Sequence, residues 1–154
     1  MLGCWLVAAA ATAVAAESGL PLPRFASLKS DRVNLRAGPG TQYPVAWVLT
    51  HKAMPVEITA EYEGWRRIRD ASGTEGWVQH SLLSGRRSVL VTADRARLMR
   101  DPEAESYPLA IAESGAQGRL FKCKGEWCQV KLAQATGWIP RHALWGIYPD
   151  EVVK

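Results

Sequence analysis

Charge is missing from the start of this chain: Met1 to Ala16, MLGCWLVAAAATAVAA, contains no Asp, Glu, Lys or Arg. The run is apolar, rich in alanine and closed by small residues, the pattern of a secretory signal peptide cut after Ala16. It falls short of the roughly 20 residues that a bilayer span requires, and no later run approaches that length. A mature chain without a transmembrane span is therefore expected, exported to the periplasm or cell envelope. Cysteine is scarce, with three in all, and Cys4 leaves with the signal peptide. Histidine is equally scarce: His51, His80 and His142 are scattered, and no H-E-x-x-H, G-x-S-x-G or Gly-Lys-Ser/Thr loop occurs. These absences leave no motif for a metallopeptidase, a serine hydrolase or a nucleotidase. The chain reads as a non-enzyme with no cofactor and no metal. Helical periodicity is also missing after the leader, which argues against a helical bundle.

What remains is short apolar runs (VAWVL, VEIT, WRRIR, GWV) punctuated by GPG, HK, EG and ASG. Such spacing predicts an all-β fold of several short strands per domain. The chain also repeats itself. LRAGPGTQYPVAWV (Leu35–Val48) aligns without a gap on MRDPEAESYPLAIA (Met99–Ala112), setting Arg36 on Arg100, Tyr43 on Tyr107 and Pro44 on Pro108. EYEGWRRI then falls on CKGEWCQV, matching Trp65 to Trp127, and GWVQHSLLSG falls on GWIPRHALWG, matching Trp77 to Trp138. The expected organisation is a signal peptide at 1–16, a flexible leader at 17–28, a first domain at 29–85 and a second at 89–148. Each domain is near the lower size limit for folding alone.

In the stretch FKCKGEWCQV, a two-residue turn at Gly125-Glu126 sets Lys124 opposite Trp127 and Cys123 opposite Cys128. The outer pair then occupies a site without cross-strand hydrogen bonds, where facing Cα atoms lie about 4.5 Å apart. That separation accepts a disulfide. An even cysteine count in an exported chain supports the same pairing. Structural zinc needs four ligands and a redox dithiol usually reads C-x-x-C; neither pattern is present. The first repeat sets Glu61 and Arg66 at the twin positions, read as an exposed cross-strand ion pair worth on the order of 0.2–1 kcal/mol. Strict alternation gathers Phe121, Cys123, Cys128, Val130 and Leu132 on one face. It also sets Val56 and Ile58 on the face opposite Ile68, a conflict that a β-bulge would repair.

These residues resemble the bacterial SH3-like domain family. VNLRAGPGTQYPV is similar to the family's opening strand and Gly-Pro loop, and EGWRRIRDASGTEGWV to its closing hairpin and Gly-Trp strand. The second repeat (LMRDP, CKGEWCQV, GWIPRHALWGIYP) resembles a variant found in small exported proteins, without the Gly-Pro-Gly loop. The resemblance implies two tandem small β-barrels and a binding module that contacts peptidoglycan, a peptide or an envelope protein. The alternative is a structural or assembly factor for an envelope complex with no small ligand. Aromatics interleaved with arginine suit ligands that bear carboxylates. The candidate contact residues are Arg36, Tyr43, Tyr62 and Trp65 in the first repeat, and Tyr107 and Trp127 in the second. Trp77 and Trp138 are assigned to the barrel cores. The sequence pI near 9.1 does not make nucleic acid the expected partner of an exported chain.

Overall fold

A computed structural model describes residues 17–154; the signal peptide assigned to 1–16 lies outside the described residues. The first unit consists of β1 (Arg24–Leu28), β2 (Val33–Arg36), β3 (Val45–Leu49), β4 (Pro55–Tyr62), β5 (Trp65–Arg69), β6 (Glu75–Gln79) and β7 (Leu83–Ser84), with a single 3₁₀ turn at His80–Leu82. The second unit repeats the series as β8 (Ser88–Val91), β9 (Arg95–Met99), β10 (Pro108–Glu113), β11 (Gln117–Lys124), β12 (Trp127–Leu132), β13 (Ala135–Pro140) and β14 (Leu144–Trp145), with its 3₁₀ turn at Arg141–Ala143. Each unit is one seven-stranded antiparallel sheet, ordered β3-β2-β6-β5-β4-β1-β7 and β10-β9-β13-β12-β11-β8-β14. The all-β, tandem expectation holds. Residues 24–28, assigned from sequence to a leader, form β1 instead and lie between β4 and β7. The flanking Pro21 and Pro23 hide this strand, whose Phe25, Ala26 and Leu28 are buried.

The cores are built from alternate strand positions. Val33, Leu35, Val56, Ile58, Ile68 and Val78 fill the first, and Val89, Val91, Leu98, Val130 and Ile139 the second. Two bulges set the parity. The register slips between Ile58 and Ala60 on β4, and between Leu120 and Lys122 on β11. The first slip lets Ile58 face Ile68 inside the barrel and still turns Glu61 and Arg66 inward. The second puts Leu120, rather than Phe121, beside Val130; the Phe121 ring lies under the Arg119 guanidinium instead, 4.9 Å away. The strand pairing also shifts the repeat alignment by one residue in the loop region. Val45 pairs with Arg36 as Pro108 pairs with Met99, so Arg36 corresponds to Met99 rather than to Arg100. Leu35 and Leu98 are the shared core anchors, and matching Arg to Arg had overridden them.

The cysteine hairpin has the expected register, with Cys123 opposite Cys128 and Lys124 opposite Trp127. Gly125 takes φ 55° at the first turn position, as a II′-type turn requires. The disulfide joins Cα atoms 4.0 Å apart, and Cys128 is wholly buried. Its counterpart in the first unit is not the exposed ion pair expected. The Glu61 side chain is 1% exposed and meets Arg24 at 2.7 Å and Arg66 at 3.5 Å. The Ser18 backbone N–H and hydroxyl also donate to it, at 2.8 and 2.6 Å. Burial alone would raise the Glu61 carboxyl; the Ser18 and Arg24 hydrogen bonds and the Arg66 charge outweigh it and hold the pKa at about 2. The N-terminal segment thus caps the first hairpin. In the second unit the C-terminal segment does so: Cys123 N–H donates to the Val153 carbonyl at 2.9 Å. Buried Arg141 ties the Gly125, Tyr148 and Glu151 carbonyls together.

The units share a joint. Phe25 and Glu57 face each other across β1 and β4 on the outer side of the first barrel, and the second unit covers both. Phe25 packs edge-on against Trp145 at 5.1 Å and tilted against Tyr148 at 4.5 Å. Glu57, 6% exposed, accepts from the Tyr148 hydroxyl at 2.8 Å and from Arg69 at 2.5 Å. Burial first, and the bond to Glu57 second, raise the Tyr148 hydroxyl well above its ordinary value. Arg87, in the three-residue connection, lies against Phe25 and pairs with Glu151.

Three outcomes follow from this packing. Phe25→Ala removes a buried aromatic from the joint and is expected to cost about 3–5 kcal/mol; in calorimetry the single unfolding transition should split into two. Glu61→Gln is expected to cost about 1–3 kcal/mol at neutral pH. A carboxyl whose folded pKa is depressed stabilises above its ordinary 4.5 and loses that contribution as pH falls through about 2. The gap between wild type and variant in urea unfolding should therefore close over that window. Reduction of the second hairpin should add two hydrogens to the intact mass and cost about 2 kcal/mol, the value of a short closed loop.

Candidate binding face

A strand's residues alternate between faces, so fixing the inward set fixes the outward one. In the first barrel Arg66, Ile68, Gly76 and Val78 point inward. The outward rows follow from the pairing. One row runs Ala60, Arg67, Trp77, Arg36 and Val45 across β4, β5, β6, β2 and β3; the next runs Tyr62, Trp65 and Gln79. Trp77 therefore stands on the outer face between Arg36 and Arg67 on the neighbouring strands, contrary to its assignment to the core. Gly76 explains why. A Cβ there would lie 2.8–2.9 Å from the Leu35 side chain and 3.2 Å from the Arg36 carbonyl, so the inward position must be Gly and its large neighbour turns out. Trp138 follows the same rule behind Gly137, where a Cβ would sit 2.6 Å from the Met99 carbonyl. It is well covered but outside the core cluster, with Lys122 5.8 Å over its ring. Alternation from Ile68 through its partner Gly76 was the signal in the sequence that places Trp77 outside.

Arg36, Arg67 and Trp77, with Ala37, Glu75 and Gly76, line an open cleft of about 390 Å³. The two arginines differ in freedom. Arg36 donates to the Thr41 and Tyr43 carbonyls at 3.3 and 2.9 Å, which holds the Gly-Pro-Gly loop against the sheet. Arg67 pairs with Glu75 at 2.7 Å; both are more than a third exposed, so the pair is screened and open to exchange. Tyr43 lies over Gly38, where a Cβ would fall 2.5 Å from the ring. The surface thus offers an aromatic face, two planar cation forks and one carboxylate, a set suited to amide and carboxylate groups beside a flat apolar surface.

The six predicted contact residues do not form one site. Arg36, Tyr62 and Trp65 share the outer face of the first sheet, and Tyr43 is linked to Arg36 through the loop. Tyr43 and Trp65 are absent from the lining of the Arg36 cleft. Tyr107, 66% exposed, precedes the edge strand of the second sheet, where its carbonyl accepts from Arg100 N–H. Trp127 is half-buried on the outer face of the second barrel and lines a separate cleft. Arg67 and Trp77 join the list from the structure alone. Among the described residues no three His, Cys, Asp or Glu side chains gather as a metal site, and no helix is long and apolar enough to cross a membrane.

Comparison with known proteins gives related results. The chain is 26% identical over 125 residues to YrvJ of Bacillus subtilis (strain 168), a protein named as a candidate N-acetylmuramoyl-L-alanine amidase; the match covers 74% of this chain and 24% of YrvJ. The chain thus spans about a quarter of that relative. Among solved structures, NlpC2 from Trichomonas vaginalis superposes with a TM-score of 0.40 at 12% identity, over 84% of this chain and 50% of the other. An NlpC/P60 family protein from Bacillus cereus ATCC 10987 gives 0.35 at 13%, over 79% and 55%. The profile of the bacterial SH3 domain matches residues 29–85 and again 92–146. With both barrels matched separately and more than half of the chain covered, this protein belongs to the bacterial SH3 domain family.

Proposed function

We propose that this chain is a non-catalytic binding module of the cell envelope whose first barrel contacts peptidoglycan or an envelope peptide through its outer face. The observation that carries this reading is Trp77, turned out of the core and set between Arg36 and Arg67 on an open cleft. A ring flanked by guanidinium groups grips a flat apolar surface and a neighbouring carboxylate together. Stem peptides of cell-wall polymer combine those features, and the similarity to YrvJ, with its amidase name, supports the same direction. Export is supported by the disulfide, which persists in oxidising compartments. Both described cysteines are bonded to each other, which leaves no thiol nucleophile there and supports the non-catalytic reading.

A second reading, an assembly factor that packs on a partner protein, is favoured by one separate feature. The edge strands β3 and β10 occupy the same position in the two sheets and expose apolar side chains, including Trp47 at 58% and Ile111 at 53%. Sheet edges of soluble proteins are commonly guarded by charge.

Retention of the full chain on purified peptidoglycan tests the first reading. Trp77→Ala combined with Arg67→Ala is expected to weaken retention about tenfold or more, in line with loss of a central aromatic–arginine anchor, with the unfolding temperature monitored in parallel. A well-folded double variant that is retained as wild type, or a wild type that is not retained, overturns it. In the latter case, photo-crosslinking from Trp47 to a single stoichiometric envelope protein would establish the second.

A further inference from the structure

The second barrel carries a cleft of about 270 Å³ that does not copy the first. Its floor is Trp127, Met99 and Pro140; its rim is Arg95, Arg97 and His142. Trp127 pairs with Pro140 on the outer face, while Leu98 and Ile139 face the core. Arg95, Arg97 and Met99 therefore share the outward side of β9. Met99 is 3% exposed, so the floor is a formed apolar surface rather than a loose edge.

The charges at the rim distinguish this cleft. In the first barrel Arg36 is engaged by loop carbonyls and Arg67 by Glu75. Arg95 and Arg97 are exposed and make no side-chain hydrogen bond or ion pair among the described residues, and neither does His142. Asp94 adjoins Arg95, and Glu103 and Glu105 flank the cleft-lining Ala104, without pairing with either arginine; strand pairing sets Glu113 opposite Arg95, and Glu126 stands in the turn before Trp127. None of these forms an ion pair there. The second repeat lacks the first barrel's cationic pair: Gln129 stands where the first barrel has Arg67, and Met99 where it has Arg36, while Arg95 falls on Arg32 and Arg97 on Asn34.

Two arginines at alternate positions of a strand project about 7 Å apart on one side. An extended peptide presents its own alternate side chains at the same spacing, with the residue between them pointing the other way. We infer that the Trp127 cleft binds an extended acidic segment of a partner protein, reading acid–x–acid–x–apolar, with the three named side chains on one side of the segment. The two carboxylates engage Arg95 and Arg97, and the apolar side chain on the same side of the segment lies on the cleft floor beside Trp127 and Pro140. The cleft is smaller than the 300–1,000 Å³ typical of small-molecule sites and accommodates one such side chain. Exposed cations held in no ion pair on the rim steer anionic partners and set their register.

The test uses the disulfide-intact chain, residues 17–154, labelled with nitrogen-15. The probe is acetyl-Asp-Ser-Asp-Ser-Leu-Ser amide, with acetyl-Lys-Ser-Lys-Ser-Leu-Ser amide and an eight-nucleotide oligothymidylate as comparators. The acidic peptide is expected to shift the Trp127 indole and the Met99 and His142 amides, and to lose affinity as salt is raised. Arg95→Glu with Arg97→Glu should weaken it about tenfold, equivalent to about 1.4 kcal/mol, while Arg95→Lys with Arg97→Lys should retain most of the affinity. Equal shifts with the lysine peptide, tighter binding of the oligonucleotide, or unchanged affinity in the folded charge-reversed variant would each overturn the inference. Retention on peptidoglycan reads the first barrel, so failure of either proposal is recognised without the other.

Discussion

The Tyr148 hydroxyl on the buried carboxylate of Glu57 is the contact on which the arrangement of the two barrels rests. Glu57 sits on the outer side of its barrel, where water would ordinarily solvate it. Covering it with the second unit removes that water, and a buried charge is tolerated only when its hydrogen bonds are replaced. Tyr148 supplies one from across the joint and Arg69 another from the neighbouring strand. Phe25, beside Glu57, adds the apolar share by meeting Trp145 and Tyr148. Units of this size bury a modest fraction of their surface when folded singly, so a shared aromatic seam adds to both cores. It also divides the outer face of the first barrel: the Phe25 and Glu57 row is taken by the second unit, and the rows of Trp77 and Trp65 remain open.

The same economy of core explains the hairpins. Both barrels bring two strand ends together near a two-residue turn, and both turn the paired residues inward. The second barrel closes its pair covalently. The first closes it with a carboxylate that gathers Arg24, Arg66 and Ser18. A buried carboxylate needs several donors; the hairpin supplies Arg66 and β1 supplies Arg24, and the chain before β1 is drawn in to add Ser18. A disulfide needs no such satisfaction. The C-terminal segment covers the second hairpin through Arg141 and the carbonyls of Tyr148 and Glu151, tied to Glu151's own bond with Arg87. Burial opposes ionisation of Glu151, and the Arg87 hydrogen bond and the Tyr148 N–H overcome it.

How far these features were readable depended on whether local rules set them. The Cys123–Cys128 register was legible because a two-residue turn fixes the pairing of the residues beside it. The β-rich tandem plan was legible from the repeat. The outward turn of Trp77 was obscured because a tryptophan after glycine looks like core until the close approach of Leu35 to Gly76 is known, and that approach is tertiary. The parity conflict with Ile68 announced a bulge, but its place between Ile58 and Ala60, on which the inward turn of Glu61 depends, is set by no residue type. β1 was concealed by its prolines, and its burial comes from strands distant in sequence. Of the candidate site, Arg36, Tyr62 and Trp65 were found by composition; the place of Arg67 beside Trp77 required the strand order.

Correct registration of the repeats changes what duplication means here. Aligned by identity, Arg36 and Arg100 make the barrels look like two copies of one binding surface. Aligned by core anchors, Leu35 on Leu98, the first barrel's cationic pair Arg36 and Arg67 becomes Met99 and Gln129. Of the second barrel's rim arginines, Arg95 falls on Arg32 of the first, and Arg97, on Asn34, is the cation added around an apolar floor. Both surfaces keep an aromatic ring beside arginine, but one offers tethered and paired guanidinium groups and the other offers unengaged ones. Because the Phe25–Tyr148 seam fixes the barrels to each other, a ligand that engages one surface holds the other at a set position. On the two proposed readings, the units join two different partners rather than grip one repetitive ligand twice.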